Sequence, residues 1–121
     1  GGRTGLGNED AVGDQPGEME GLDFVDLGAS ETVEMVSAGA THTCVLLTGR
    51  SVKCFGSGEH GQLGLGDIEH RGDAPGEMGD ALGYANQGLG PVLQVEAGYL
   101  VTCMLLVTGR VFCCGKGTHG R

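Results

Sequence analysis

The chain has 121 residues, room for one ordinary domain and too few for a multidomain enzyme. Glycine takes 26 positions and tryptophan none, and 16 acidic residues against 7 basic ones leave a net charge of -9. That charge opposes general affinity for nucleic acid or anionic lipid, and no apolar run reaches the ~18 residues of a membrane span.

The first predicted element is a long surface loop over residues 5–30. It is rich in glycine and acid, and residues 1–31 hold eight Asp or Glu against Arg3 alone. Val33-Glu34-Met35 then alternates apolar and polar, the period-2 mark of a half-buried strand. Thr43–Leu47 and Ser51–Phe55 flank Thr48-Gly49-Arg50 and predict a hairpin with a short turn. Residues 64–90 form a second glycine- and acid-rich loop, followed by a strand at Leu93–Ala97. A second hairpin turns through Val107-Thr108-Gly109, with glycine at the third loop position, where a left-handed conformation is usually wanted. No amphipathic helix is predicted, so the fold class is all-β.

The two halves are one unit written twice, 59 residues apart. Pro16-Gly17-Glu18-Met19 falls on Pro75-Gly76-Glu77-Met78, Thr43-Cys44 on Thr102-Cys103, and Leu46-Leu47 on Leu105-Leu106. Val52, Cys54, Gly56 and Gly58 fall on Val111, Cys113, Gly115 and Gly117. The first repeat is assigned to residues 1–62 and the second to 63–121. A repeat of this size built from about four short strands is one blade of an antiparallel β-propeller. Two blades alone leave apolar faces and edges that want neighbours, which predicts a piece of a larger ring, with further blades supplied in cis or in trans. A start without Met or a signal-peptide pattern fits that expectation.

Val36-Ser37-Ala38-Gly39-Ala40-Thr41-His42-Thr43-Cys44-Val45-Leu46-Leu47, then Ser51–Gly56, then Gly61-Gln62-Leu63-Gly64-Leu65-Gly66-Asp67 resembles the regulator of chromosome condensation repeat. The resemblance covers both copies and implies a seven-bladed β-propeller, of which this chain supplies about two blades. It marks Gly39, His42, Thr43, Gly56, His60, Gly61, Gln62, Gly64 and Gly66 as structural positions of the first copy. Gly98, Thr102, Gly115, His119 and Gly120 are their counterparts in the second. The copies depart from the family pattern where Phe55 and Cys114 replace its usual Trp, His42 becomes Val101, and Gln62 becomes Arg121. Those departures predict a degenerate second blade.

Symmetric hairpins place Cys44 opposite Cys54 and Cys103 opposite Cys113. Two readings stand. One is a disulfide within each blade, as in an oxidising compartment; the other is a pair of small buried hydrophobes in a tight space between blades. Cys114 reads as a drifted core position. His42, His60, His70 and His119 lack zinc-site spacing to the cysteines, and His60 and His119 are expected to hydrogen-bond backbone within their turns. Asp67, Glu69, Asp73 and Glu77 follow no calcium-loop pattern and read as a solvated loop. Arg71-Gly72-Asp73 has Val12-Gly13-Asp14 as its counterpart, so its arginine is incidental. Gly5-Leu6-Gly7 and Gly64-Leu65-Gly66 lack the Lys-Ser/Thr of a phosphate-binding loop. Ser37, Ser51 and Ser57 lack nucleophile-elbow glycines. No catalytic residue, metal site or cofactor is therefore expected. The leading reading is a non-catalytic protein-interaction scaffold whose variable loops meet a protein partner. The resemblance also implies guanine-nucleotide exchange on a small GTPase, and the paired cysteines admit an extracellular disulfide-stapled repeat array.

Overall fold

Alternating side chains build six short strands in a computed structural model that describes residues 1–117; His119, Gly120 and Arg121 lie outside the described residues. They are β1 (Val33–Ala38), β2 (His42–Leu47), β3 (Val52–Gly56), β4 (Val92–Ala97), β5 (Val101–Leu106) and β6 (Val111–Gly115). β1-β2-β3 form one antiparallel sheet and β4-β5-β6 another, giving two β-propeller blades. The sole helical piece among the described residues is a single 3₁₀ turn at Gly79–Ala81.

The repeat extends to register. Cys44 pairs with Cys54 across β2–β3, and Cys103 with Cys113 across β5–β6. The first strand of each blade carries a bulge at the same place, between Val33 and Met35 and between Val92 and Gln94. Both hairpins close alike: Leu47 N–H donates to Ser51 O over 2.8 Å, and Leu106 N–H to Arg110 O over 2.8 Å. The left-handed third loop position is Gly109 (φ 89°) in one turn and Arg50 (φ 68°) in the other.

Each blade has three strands where about four were expected. The outer, fourth position beside β3 is filled by two residues of the second long loop. Ala85 N–H donates to Val52 O (2.7 Å), and Val52 N–H donates to the Asn86 side-chain Oδ1 (3.1 Å). The loops are thus not wholly superficial, because they supply Leu82 and Ala85, both buried, to the packing.

The main core lies between the blades. Cys44, Leu46, Val52 and Cys54 of the first blade meet Val92, Val95, Met104 and Leu106 of the second. A second cluster joins Val45, Leu47 and Phe55 to Leu82, with Val25 and Leu27 against them. Gly56 (φ 116°) and Gly115 (φ 123°) end the outer strands where a Cβ would press on the neighbouring strand: at 2.7 Å from His42 Cα and 2.8 Å from Val101 Cα. Glycine there permits the close approach that seals each hairpin.

Candidate protein-interaction surface

The two long loops rise beside one another and are built by the same device. Glu18 Oε2 accepts hydrogen bonds from Gly13 N–H (2.8 Å) and Gln15 N–H (3.0 Å). Glu77 Oε1 accepts from Gly72 N–H (3.1 Å) and Ala74 N–H (2.9 Å). Each Gly-Asp-x-Pro-Gly-Glu-Met segment is therefore a turn locked by its own glutamate. Gly13 and Gly17 (φ 92° and 86°) supply the left-handed backbone, as do Gly72 and Gly76 (φ 87° and 84°). The Gln15 and Gly13 donors hold the Glu18 carboxyl below its ordinary range. Between the turns lies an open groove of about 630 Å³ bordered by Glu18, Leu22, Asp23, Phe24, Pro75 and Met78. Phe24 is fully exposed, a large apolar side chain among acids.

Beneath the loops, Lys53 holds both in place. Its side chain is 3% exposed, and its ammonium donates to Leu27 O (2.7 Å) and Gly79 O (3.0 Å), one carbonyl from each loop. The Tyr84 ring lies 5.1 Å from the same nitrogen. Tyr84 donates to Glu31 across 2.9 Å, and that bond together with partial burial raises its phenol above the ordinary value. Asp80 further ties the loops by accepting Ala29 N–H at 3.3 Å.

The repeat-motif residues gather on the seam between the blades. Thr102 donates its hydroxyl proton to Gln62 O over 2.7 Å, so it must accept from His42 Nε2 at 2.6 Å. His42 therefore carries its proton on Nε2, and its buried Nδ1 meets no hydrogen-bond partner among the described residues. Burial lowers the His42 pKa, which keeps the ring neutral. Gln62 Oε1 accepts His60 N–H at 2.9 Å, and its Nε2 donates to Thr41 Oγ1 at 3.4 Å. Gly39 and Gly98 close their bends by donating to His42 O and Val101 O, each over 2.8 Å. Thr43 lies at the surface, donating to Arg3 O at 3.1 Å. Gly61 and Gly64 donate to the carbonyls of Gly58 and Gly61, and Gly66 adopts φ 80°.

Among the described residues the His60 ring meets no backbone group, contrary to expectation; it faces Glu59 Oε1 at 3.6 Å. The backbone bond in this turn belongs to His70, whose Nδ1 accepts Gly58 N–H at 3.1 Å. Cys44 and Cys54 sit face to face with Cα atoms 4.1 Å apart and sulfurs at bonding distance, both fully buried. Cys103 and Cys113 adopt the same arrangement at 4.0 Å, with Cys113 exposed. Cys114 is half-buried, and burial raises its thiol pKa. Arg71 pairs with Asp67 at 2.8 Å, and Ser37 Oγ accepts Ala97 N–H at 2.9 Å across the seam. Among the described residues no three His, Cys, Asp or Glu side chains converge as a metal site.

The model of the regulator of chromosome condensation (RCC1) repeat matches residues 35–62 and 92–121. The chain belongs to that repeat family. It is 41% identical over 86 residues to the E3 ubiquitin-protein ligase MYCBP2 of Danio rerio, covering 71% of this chain and 2% of that protein. The structure of human WBSCR16 superposes with a TM-score of 0.62 at 26% identity, over 75% of this chain and 23% of that one. Prp20p from Saccharomyces cerevisiae, whose structure was described with its binding to Gsp1p and histones, superposes with a TM-score of 0.60. It is 16% identical and covers 96% of this chain and 28% of that chain. The chain thus spans between 2% and 28% of these relatives.

Proposed function

We propose that this pair of repeats is a non-catalytic interaction scaffold that presents its two acidic loops to a protein with a basic face. The observation that carries the reading is the groove between two glutamate-locked turns, rigid in backbone, acidic at its rim and marked by the exposed Phe24. A pre-ordered acidic surface steers a basic partner and loses little entropy on binding. Further blades, in cis or in trans, complete the ring on this reading. The test is to scramble the exposed residues 20–24, leaving the core residues Val25, Leu27, Leu82 and Ala85 in place, and measure recovery of bound partner from extract. Loss of a partner with the blades still folded is expected; unchanged recovery overturns the proposal.

A second reading is guanine-nucleotide exchange on a small GTPase, favoured by the fold likeness to Prp20p. It requires that added chain accelerate nucleotide release from the GTPase. Release at the intrinsic rate removes it.

A further inference from the structure

Position 114 holds a cysteine where the repeat pattern has Trp and the first blade has Phe55, so this thiol is peculiar to the chain. Cys114 lies on β6 directly opposite Thr102 of β5, and opposed residues share one face of a sheet. That face meets the first blade: Met104, two residues along β5 from Thr102, packs with Cys44 and Cys54. Cys103 and Cys113 alternate with these residues and belong to the other face. Both walls of this seam are supplied by the chain.

One buried hydroxyl connects the sulfurs. Thr102 is 0% exposed, and its Oγ1 lies 3.7 Å from Cys44 Sγ and donates to Gln62 O over 2.7 Å. The Cys114 thiol donates to the same Gln62 carbonyl over 3.8 Å. A free thiol and the Cys44–Cys54 pair therefore meet at one point of the seam, on either side of a threonine side chain. The third neighbour of that hydroxyl, His42, is kept neutral by burial.

We propose that Cys114 is the exchange partner of a Cys44–Cys54 disulfide, moving the bridge from within the first blade to a Cys44–Cys114 link across the seam. This rests on the disulfide reading of the opposed pair and is independent of the acidic-loop reading. The Cys114 thiol loses its proton to solvent, and the thiolate electron pair forms a bond to Cys44 Sγ. The Cys44–Cys54 bond breaks, and Cys54 leaves as a thiolate that takes up a proton. One S–S bond replaces another, so no oxidant or reductant is consumed. Cys44 is the sulfur attacked because it is the one against Thr102, whose hydroxyl must rotate aside to open the path. A bridge across the seam closes a far longer loop than one within a hairpin and so restrains the unfolded chain more. The freed Cys54 thiol is a small hydrophobe suited to its buried place. The product ties the two repeats together covalently.

Thiol mapping of the native protein, without added thiol, tests the exchange. Samples held between about pH 7 and about pH 9 are denatured in mild acid, labelled with a maleimide and cut with trypsin. Cleavage after Lys53 and Arg71 isolates Cys54 on its own peptide, and cleavage after Arg110 and Lys116 isolates residues 111–116. The label should begin on Cys114 alone and move with time to Cys54, while the peptide carrying Cys44 becomes linked to residues 111–116. Burial raises the Cys114 thiol pKa, so the rate should climb about tenfold per pH unit, and it should not depend on protein concentration. Cys114→Ser should leave Cys54 unlabelled throughout, and replacing Cys103 and Cys113 together by serine should leave the exchange intact. Label confined to Cys114 at every time and pH overturns the proposal, as does Cys54 labelling in Cys114→Ser. Label on both Cys44 and Cys54 at the outset removes the bridge itself, and scrambling among all five cysteines removes the directed exchange. None of these outcomes bears on the acidic-loop reading.

Discussion

Val52 and Val111 are the same residue at the same place in two copies of one unit, yet one is 0% exposed and the other 62%. The same holds for Cys54, fully buried, and Cys113, exposed. Burial in this protein is therefore a property of the neighbour rather than of the strand. The first blade has a second blade against one face and a loop residue pairing with its edge; the second blade has only the first face covered.

The largest test of this contrast is in the aliphatic core. Leu46→Ala should cost about 2–5 kcal/mol, while Leu105→Ala, on the half-covered counterpart, should cost less than half as much. Equal losses in chemical denaturation would mean that the blades are equally packed. Next come the cysteine pairs, each of which we propose to be a disulfide worth about 2–4 kcal/mol. Attack by a thiolate needs access, so graded reduction with alkylation and mass spectrometry should open Cys103–Cys113 before Cys44–Cys54. Alkylatable thiols at Cys44, Cys54, Cys103 and Cys113 in the untreated protein, in addition to free Cys114, would remove both bridges and the extracellular-array reading with them.

Lys53→Met should cost about 1–3 kcal/mol, because the carbonyls of Leu27 and Gly79 lose their donor, whereas Phe112→Lys on the open strand should be nearly neutral. A fourth difference is set by pH. His42 has its pKa lowered by burial, so the native state binds fewer protons than the unfolded state below about 6.5. Its stabilising contribution is complete above the unfolded value near 6.5 and is lost as pH falls through the folded value. The second blade has Val101 here and adds no such slope, so His42→Gln should flatten the decline in denaturation midpoint across that window. The smallest effect is at the hairpin turns. Arg50→Gly relieves a left-handed conformation that Gly109 adopts freely, at the loss of the 3.1 Å ion pair to Glu34, for a net gain of under about 1 kcal/mol.

The strands, their register and the opposed cysteines were legible because period-2 alternation and a 59-residue identity map are both written in side chains. The loops were harder to read for physical reasons. Glu18 and Glu77 act on backbone N–H groups, which every residue but proline offers and no sequence pattern marks. Lys53 is a charged side chain in a strand, a type that usually faces solvent, and only the approach of two distant carbonyls makes it internal. The fourth-strand contact rests on Ala85 and Asn86, too short a stretch to show periodicity. His60 was assigned the backbone bond of its turn because it recurs at His119; the ring that makes the bond, His70, recurs as Ala11 and so carried no repeat signal.

The glutamate lock also bears on how this surface can change. Each lock is closed within its own loop, donors and acceptor alike, and draws no hydrogen bond from a strand. A lock of this kind holds its turn without help from the blades. Exposed residues 20–24 can be rewritten without disturbing the turn before them, whereas Val25, Leu27, Leu82 and Ala85 are held by the core. The molecule thus separates a fixed turn from an exposed tip whose sequence is free to vary.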